Sequence, residues 1–179
     1  QRELFEPFIK TLTLHTNVIR LAGPEDYRKR TEQKKGHRLF TPLDTPSKKA
    51  LQIAYNDLTG KEATPTTIQE KTREFETIGA DKNVLWMTFE ELCSKPRGAK
   101  DYLFLSTQYQ TWILSDVPLL SPDQFNEAKR FQTLIDILYE QNTTLWMSAE
   151  TPLSLLYTKG RGHETFKRTI SRLTKMLNT

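Results

Sequence analysis

Cysteine is nearly absent from the sequence, since Cys93 is the only one among 179 residues. No disulfide can therefore form within the chain, and a zinc cluster built from several cysteines is excluded. This usage is typical of a reducing compartment such as the cytosol or the mitochondrial matrix. Cys93 follows Leu92 in an apolar setting, so we expect a buried thiol.

Long apolar runs and targeting signals are also lacking. No stretch approaches the roughly 20 apolar residues of a membrane-spanning helix, and the first residues lack the basic and apolar regions of a secretion signal. The chain begins at Gln1, without a methionine, as if inside an amphipathic helix, and we interpret this start as a truncation. With 36% hydrophobic and 27% charged residues, the composition predicts a soluble globular protein of one domain or two small ones.

Glycine is scarce, and its seven residues are scattered. The sequence contains neither Gly-x-x-x-x-Gly-Lys-Ser/Thr, whose backbone amides and lysine hold phosphates, nor Gly-x-Gly-x-x-Gly. The segment Gly160–Gly162 is too short to cradle a phosphate, and we interpret it as a turn. The three histidines lie far apart and have no metal-ligand spacing, and no Gly-x-Ser-x-Gly elbow occurs. The residues alone therefore predict no metal site and no self-sufficient active site.

Positive charge is in excess, because 26 Lys and Arg residues against 22 Asp and Glu residues give a net charge of +4. A first basic cluster runs from Arg28 to Arg38 with Glu32 as its single acidic residue. The second basic cluster consists of Lys159, Arg161, Lys167, Arg168, Arg172 and Lys175. Such clusters can bind nucleic acid, phosphate or anionic lipid, or they can be solvated surface.

The pattern in the first third of the chain predicts a helix, a short strand, a basic loop and a second helix. That second helix should have Thr45 as its N-cap and Pro46 in its first turn, and Gly60 should end it. A polar linker follows. We therefore expect a boundary that separates residues 1–60 from residues 66–179.

Short apolar strands alternate with amphipathic helices after this linker, which predicts an α/β fold with helices packed on a largely parallel sheet. The predicted strands are residues 66–78, 84–89, 111–114 and 144–149, with a turn at 79–81. The predicted helices are residues 99–109, one that starts at the capping box Ser121–Gln124, a short one at 152–157 and a last one that ends near Leu177. Asp116 follows the third strand, where the carboxylates of α/β sites gather, although a loop or cap role is the alternative.

Several phrases, in order along the chain, carry a resemblance. They are Gln1–Ile9, Asp26–Arg30, Phe89–Cys93, Pro96–Arg97 with Asp101–Tyr102, Asp116–Pro118, Lys129–Phe131 with Asp136 and Tyr139, Ser148–Glu150 and Arg168–Leu173. Together they resemble the ZapE family of P-loop ATPases, whose mitochondrial relatives are the Afg-type ATPases. The chain departs from the family pattern at Lys129, where the family has arginine, and at Lys175, where it usually has glutamate.

The resemblance implies that residues 1–60 end a P-loop ATPase core and that residues 66–179 form a second small α/β unit. The Walker A loop and the Walker B acidic pair would then lie before Gln1, so we expect this chain to be inactive alone. The complete protein would bind ATP and Mg²⁺, hydrolyse ATP and form a homo-oligomer. Bacterial members associate with the division ring, and mitochondrial members take part in protein quality control. We therefore expect a cytoplasmic protein, peripheral at the division site, with the mitochondrial matrix as the alternative.

Three candidate arginines lie near the start of the chain. Arg2 lies where the family's chain leaves its sensor region, which makes it a candidate arginine finger for a neighbouring subunit's γ-phosphate. Arg28 and Arg30 follow a predicted strand and are candidates for contact with nucleotide or a neighbour. A surface position or a structural ion pair is the alternative for each.

Three further candidates lie on the predicted later helices. Arg168 and Arg172 are four residues apart and share one helix face, so they can act as sensor-like groups or as an exposed basic face. Arg130 lies away from the apolar stripe of its helix and is a candidate for sensing nucleotide or for contact with a partner. The alternative function for the whole chain is a non-catalytic basic module that binds a protein partner, nucleic acid or an anionic membrane surface.

Overall fold

A computed structural model describes residues 37–178. The strands are β1 (Leu39–Phe40), β2 (Thr66–Glu70), β3 (Arg73–Thr77), β4 (Gly79–Asp81), β5 (Val84–Thr88), β6 (Thr111–Val117) and β7 (Thr144–Ala149). The α-helices are α1 (Thr45–Thr59), α2 (Ala99–Gln108), α3 (Phe125–Glu140) and α4 (His163–Leu177). Two short turns of helix, Glu90–Ser94 and Leu153–Leu155, complete the described elements.

Five of the strands form one sheet in the order β1-β7-β6-β5-β4. The strands from β1 to β5 in this order run parallel, and β4 at the edge is antiparallel to β5. β2 and β3 form a separate antiparallel hairpin. The predicted α/β fold with a mostly parallel sheet is confirmed.

The two faces of the sheet are covered unequally. Successive side chains of a strand point to opposite faces, so Leu85, Trp112 and Met147 lie in the larger core with residues of α2, α3 and α4. Trp86 and Ile113 lie on the opposite face, against α1. One helix therefore covers one face of the sheet and three helices cover the other, so the sheet lies between two helical layers.

The start of α1 differs by one residue from the prediction. Asp44, and not Thr45, is the N-cap, because Asp44 has an extended backbone and its carboxylate accepts a hydrogen bond from the Ser47 N–H at 2.8 Å. Pro46 lies in the first turn, and Gly60 ends the helix in a left-handed conformation, as predicted.

The predicted strand over residues 66–78 was wrong, because the chain turns back on itself within it. β2 and β3 pair with each other, and Lys71 adopts φ +54° in the turn between them. The predicted turn at residues 79–81 is the strand β4, and the turn comes after it, with Lys82 at φ +51°. Neither lysine belongs to the residues that favour left-handed turns, so the sequence carried no signal for these positions.

Two predicted helix boundaries also shift. The Gln124 side chain accepts from the Ser121 N–H at 2.9 Å, which is half of the expected capping box, but α3 begins at Phe125, after the box. The predicted helix at residues 152–157 is reduced to the single turn Leu153–Leu155.

β1 belongs to the same sheet as β4, β5, β6 and β7, and α1 packs on that sheet. The predicted division between residues 1–60 and residues 66–179 stays a prediction, since residues 1–36 lie outside the described part. Within residues 37–178, no helix has the length and apolar character that crossing a bilayer requires.

Candidate functional site

The sheet has a switch point between β1 and β7. The chain leaves β1 toward α1 on one face, whereas it leaves β7 toward α4 on the other face. In open α/β sheets, ligands bind in the crevice outside the carboxyl ends of two such strands. The loop after β1, residues 41–44, and the loop after β7, residues 150–152, therefore border the place where a ligand is expected first.

The start of α1 faces this crevice, and a side-chain carboxylate of the protein already binds there. A helix N-terminus offers free N–H groups and a positive dipole end to a phosphate, but here the Asp44 carboxylate accepts from the Ser47 N–H. The Ser47 hydroxyl donates to the Pro42 carbonyl at 2.7 Å, and Pro46 has no N–H to offer. The loop contains no glycine, so its chemistry does not provide a phosphate cradle.

Polar side chains at the neighbouring strand ends also bind the protein itself. Ser148 accepts from the Asp116 N–H at 3.0 Å, and Ser115 accepts from the Trp86 indole at 3.1 Å. Glu150 accepts from the Leu119 N–H at 2.8 Å. These contacts fix the ends of the strands. Asp116 is half-buried, its backbone has φ +63°, and β6 carries a bulge at this position. A left-handed aspartate is a strained position; its role stays a prediction.

Arg168 and Arg172 lie together and share one carboxylate of α3. The two guanidinium groups donate to Asp136 at 2.6 and 2.7 Å. Arg172 also lies over the Tyr139 ring, 4.9 Å from its centroid. The Arg172 side chain is 20% exposed and the Arg168 side chain is 67% exposed. Arg172 therefore forms the more buried of the two ion pairs between α3 and α4.

Lys175, in the last turn of α4, is a further cation that contacts Tyr139. The Lys175 ammonium donates to the Tyr139 hydroxyl at 2.9 Å, and this hydrogen bond lowers the pKa of Tyr139 below its ordinary value. Lys167 pairs with Glu164 at 2.7 Å. Much of the second basic cluster is therefore engaged in contacts within the protein.

Arg130 lies on α3 but contacts a different neighbour. Its guanidinium donates to the Cys93 carbonyl at 3.0 Å, at the end of the short helix Glu90–Ser94. Cys93 is fully buried, as predicted, and burial raises the pKa of its thiol. The structure does not bring Arg130 together with Arg168 and Arg172. Arg2, Arg28 and Arg30 lie outside the described residues.

A pocket that the sequence did not indicate lies between the starts of α3 and α4. Its volume is about 220 Å³, and two exposed cations, Lys129 and Arg161, lie at its rim. The other lining residues are Phe125, Ala128, Gln132, Tyr157, Gly162 and Thr165. In the sequence, the segment Gly160–Gly162 shows only two glycines that flank an arginine. The pocket forms because this segment packs against α3, which the sequence does not reveal.

Metal ligands do not gather in the described part of the chain. Among residues 37–178, no group of three or more His, Cys, Asp or Glu side chains is placed to hold a metal ion. The arrangement offers arginines in ion pairs, a closed helix start and a cationic pocket.

The comparisons with known proteins match all or most of the chain. The family model described as AFG1-like ATPase matches residues 1–179. Cell division protein ZapE of Escherichia coli (strain K12) is 33% identical over 177 residues, which are 98% of this chain and 47% of ZapE. An uncharacterized protein of Schizosaccharomyces pombe is 38% identical over 161 residues, which are 88% of this chain and 35% of that protein. Lactation elevated protein 1 homolog B of Danio rerio is 29% identical over 164 residues, with 90% of this chain and 33% of the relative covered.

The chain thus spans between about a third and a half of the length of these curated relatives. No solved structure matches the chain.

Proposed function

Because the chain belongs to the AFG1-like ATPase family, we propose that it is the C-terminal portion of an ATP-hydrolysing protein. The cradle for the ATP phosphates and Mg²⁺ would be supplied by residues that precede Gln1 in the complete protein. The observation that carries the proposal is the family match over residues 1–179. The similarity to the cell division protein ZapE supports a role in cell division, with the mitochondrial alternative still open.

The geometry of the switch point supports a cradle outside this chain. A phosphate needs converging backbone N–H groups and a lysine, whereas the loop after β1 presents the Asp44 carboxylate. A second anion at the same helix start would be repelled, since like charges at close range are unfavourable. We therefore propose that the described α/β unit contributes contacts and not a second nucleotide site.

The proposed contribution of this chain to catalysis is an arginine. Arg2 is the first candidate for a finger that stabilises the charge on the transferred phosphoryl group. Arg28 and Arg30 are proposed to meet nucleotide or a neighbouring subunit. For Arg168 and Arg172, a sensing role would require that they exchange Asp136 for another anion.

The test of the catalytic proposal is Arg2→Ala in the complete protein, with steady-state ATP hydrolysis as the readout. A finger acts in the transition state, so kcat should fall roughly 10³-fold while KM changes little. Lys10→Ala, which removes the next cation along the chain, is the matched control and should leave kcat unchanged. An unchanged kcat for Arg2→Ala would remove the finger assignment.

A second experiment tests the location of the cradle. The 179-residue chain alone should show no ATP turnover and no binding of a fluorescent ATP analogue. The complete protein should show both, with one nucleotide per chain. Two nucleotides per chain would mean that the described unit holds a site of its own.

We also propose that this chain carries a docking surface for a partner protein and takes part in homo-oligomer formation. A site at a cytoplasmic division ring follows from the similarity to ZapE and is proposed on that ground alone. The nucleic-acid alternative predicts binding to single-stranded DNA or RNA that weakens steeply as salt is raised. The pairing of Arg168, Arg172 and Lys167 with carboxylates argues against a freely available basic face on α4.

A further inference from the structure

The pocket between α3 and α4 combines an apolar floor with a cationic rim. Ala128 and Tyr157 are buried in the floor, with exposed fractions of 2% and 5%. Phe125 lines one wall, and the Arg161 guanidinium lies 4.9 Å from the centroid of its ring. Lys129, in the first turns of α3, also lines the pocket and is exposed.

The loop that carries Arg161 is held in one conformation. Gly160 has φ +111° and lies so close to Pro122 that a Cβ would be 2.9 Å from the proline Cα. Gly162 has φ +83°, and the Tyr157 hydroxyl donates to the Arg161 carbonyl at 2.8 Å. Because the backbone is held on both sides of Arg161, little backbone conformational entropy is lost when its guanidinium binds an anion.

The two rim cations are not neutralised by carboxylates of the described unit. Within residues 37–178, no carboxylate forms an ion pair with Lys129 or Arg161, and none lines the pocket. Glu164, in the first turn of α4, is paired with Lys167 and with the His163 ring. The cations of α4, Lys167, Arg168, Arg172 and Lys175, thus contact groups of the protein itself, whereas Lys129 and Arg161 face an open pocket.

The size and chemistry of the pocket select its occupant. A volume of about 220 Å³ is below the roughly 300–1,000 Å³ of pockets for drug-sized ligands, so a single side chain fits better than a nucleotide. An arginine recognises a carboxylate through two parallel hydrogen bonds. The apolar floor would bury the methylene groups of a glutamate, which free phosphate does not possess.

We infer that this pocket binds a glutamate side chain carried by an acidic segment of a partner protein, with Arg161 and Lys129 as the recognising cations. The inference rests on the docking role proposed above but not on ATP hydrolysis. It predicts binding in the absence of nucleotide.

Fluorescence anisotropy with the complete protein, in the absence of nucleotide, tests the inference. The probe is a short fluorescein-labelled peptide in which glutamate alternates with leucine, and the same peptide with glutamine in place of glutamate is its control. Arg161→Ala should weaken binding about tenfold, because a charge-assisted contact is lost. Lys129→Ala should weaken it about threefold, as expected for an exposed pair. Lys100→Ala removes an exposed lysine on α2 and should leave binding unchanged, whereas Arg161→Lys should restore part of the affinity.

Four results would overturn the inference: no binding of the glutamate peptide, equal binding of the glutamine peptide, an equal loss with Lys100→Ala, or displacement of the peptide by inorganic phosphate at equal concentration. Displacement by single-stranded RNA, with RNA binding lost in the same variants, would assign the pocket to nucleic acid instead. Because ATP is absent throughout, each of these failures would leave the ATPase proposal standing. Failure of the Arg2→Ala experiment would likewise leave the pocket assignment standing.

Discussion

Two helices of this unit begin in opposite ways. The loop before α1 supplies the Asp44 carboxylate as a cap, whereas Gly162, which precedes α4, offers no side-chain cap, and Arg161 lies beside it. Both helix starts carry the positive end of the dipole, yet one is closed by the protein and the other borders an open cationic pocket. The comparison shows that the residue before the helix, and not the dipole, decides whether a carboxylate of the protein occupies the helix start.

The largest expected effect comes from the loop before α4. Gly160→Ala should destabilise the fold by about 3 kcal/mol, because the backbone at φ +111° is strained for alanine and the added Cβ would contact Pro122 and Tyr157. Urea unfolding followed by tryptophan fluorescence measures the change. Gly98→Ala is the control, since nothing lies within 4 Å of its Cβ position and its backbone is extended. Equal losses for both variants would mean that the loop is not held as described.

The start of α1 provides the next effect in size. Asp44→Ala should cost about 1 kcal/mol, the usual value for the loss of an N-cap side chain. Asp57→Ala, in the last turns of the same helix, removes the same charge where the dipole disfavours it, so stability should stay the same or rise slightly. If both aspartates behaved alike, the carboxylate would not be what closes this helix start, and the contrast with α4 would lose its basis.

The fold could be predicted further than the site. β7 has the predicted bounds, and β6 and α2 differ from the prediction only at their ends. These elements could be predicted because the spacing of apolar residues along a strand or helix is a local property of the sequence. The hairpin turn at Lys71 was missed because its left-handed backbone is imposed by the pairing of Ile68 with Phe75 and its neighbours, not by a turn residue.

The site depends on contacts between distant parts of the chain. Arg168 meets Asp136 across 32 positions, and no spacing rule within a helix predicts that pair. Likewise, Arg161 acquires its place only when Gly160 packs on Pro122 and the guanidinium lies over Phe125. A basic cluster in a sequence therefore does not reveal which of its side chains pair with a neighbouring helix and which face solvent.

That distinction can be measured directly on α4. Arg172→Met should destabilise the fold by about 1 kcal/mol, since a largely buried guanidinium loses Asp136 and the Tyr139 ring. Arg168→Met should change stability by less than about 0.5 kcal/mol, because its pair with Asp136 is largely exposed. Both values come from urea unfolding at low and high salt. Equal effects would indicate that exposure does not separate the two arginines.

The smallest effect concerns Lys175 and its tyrosine. The hydrogen bond from Lys175 lowers the pKa of Tyr139 in the folded state, so the phenolate form stabilises the fold above the ordinary tyrosine pKa of about 10. That contribution disappears as pH falls through the lowered folded pKa. Lys175→Met should move the titration of Tyr139 upward, toward the ordinary value, in a tyrosinate absorbance titration. Lys167→Met, whose lysine pairs with Glu164 instead, should leave it in place. An unmoved titration in Lys175→Met would show that the hydrogen bond from Lys175 is not what lowers the pKa of Tyr139.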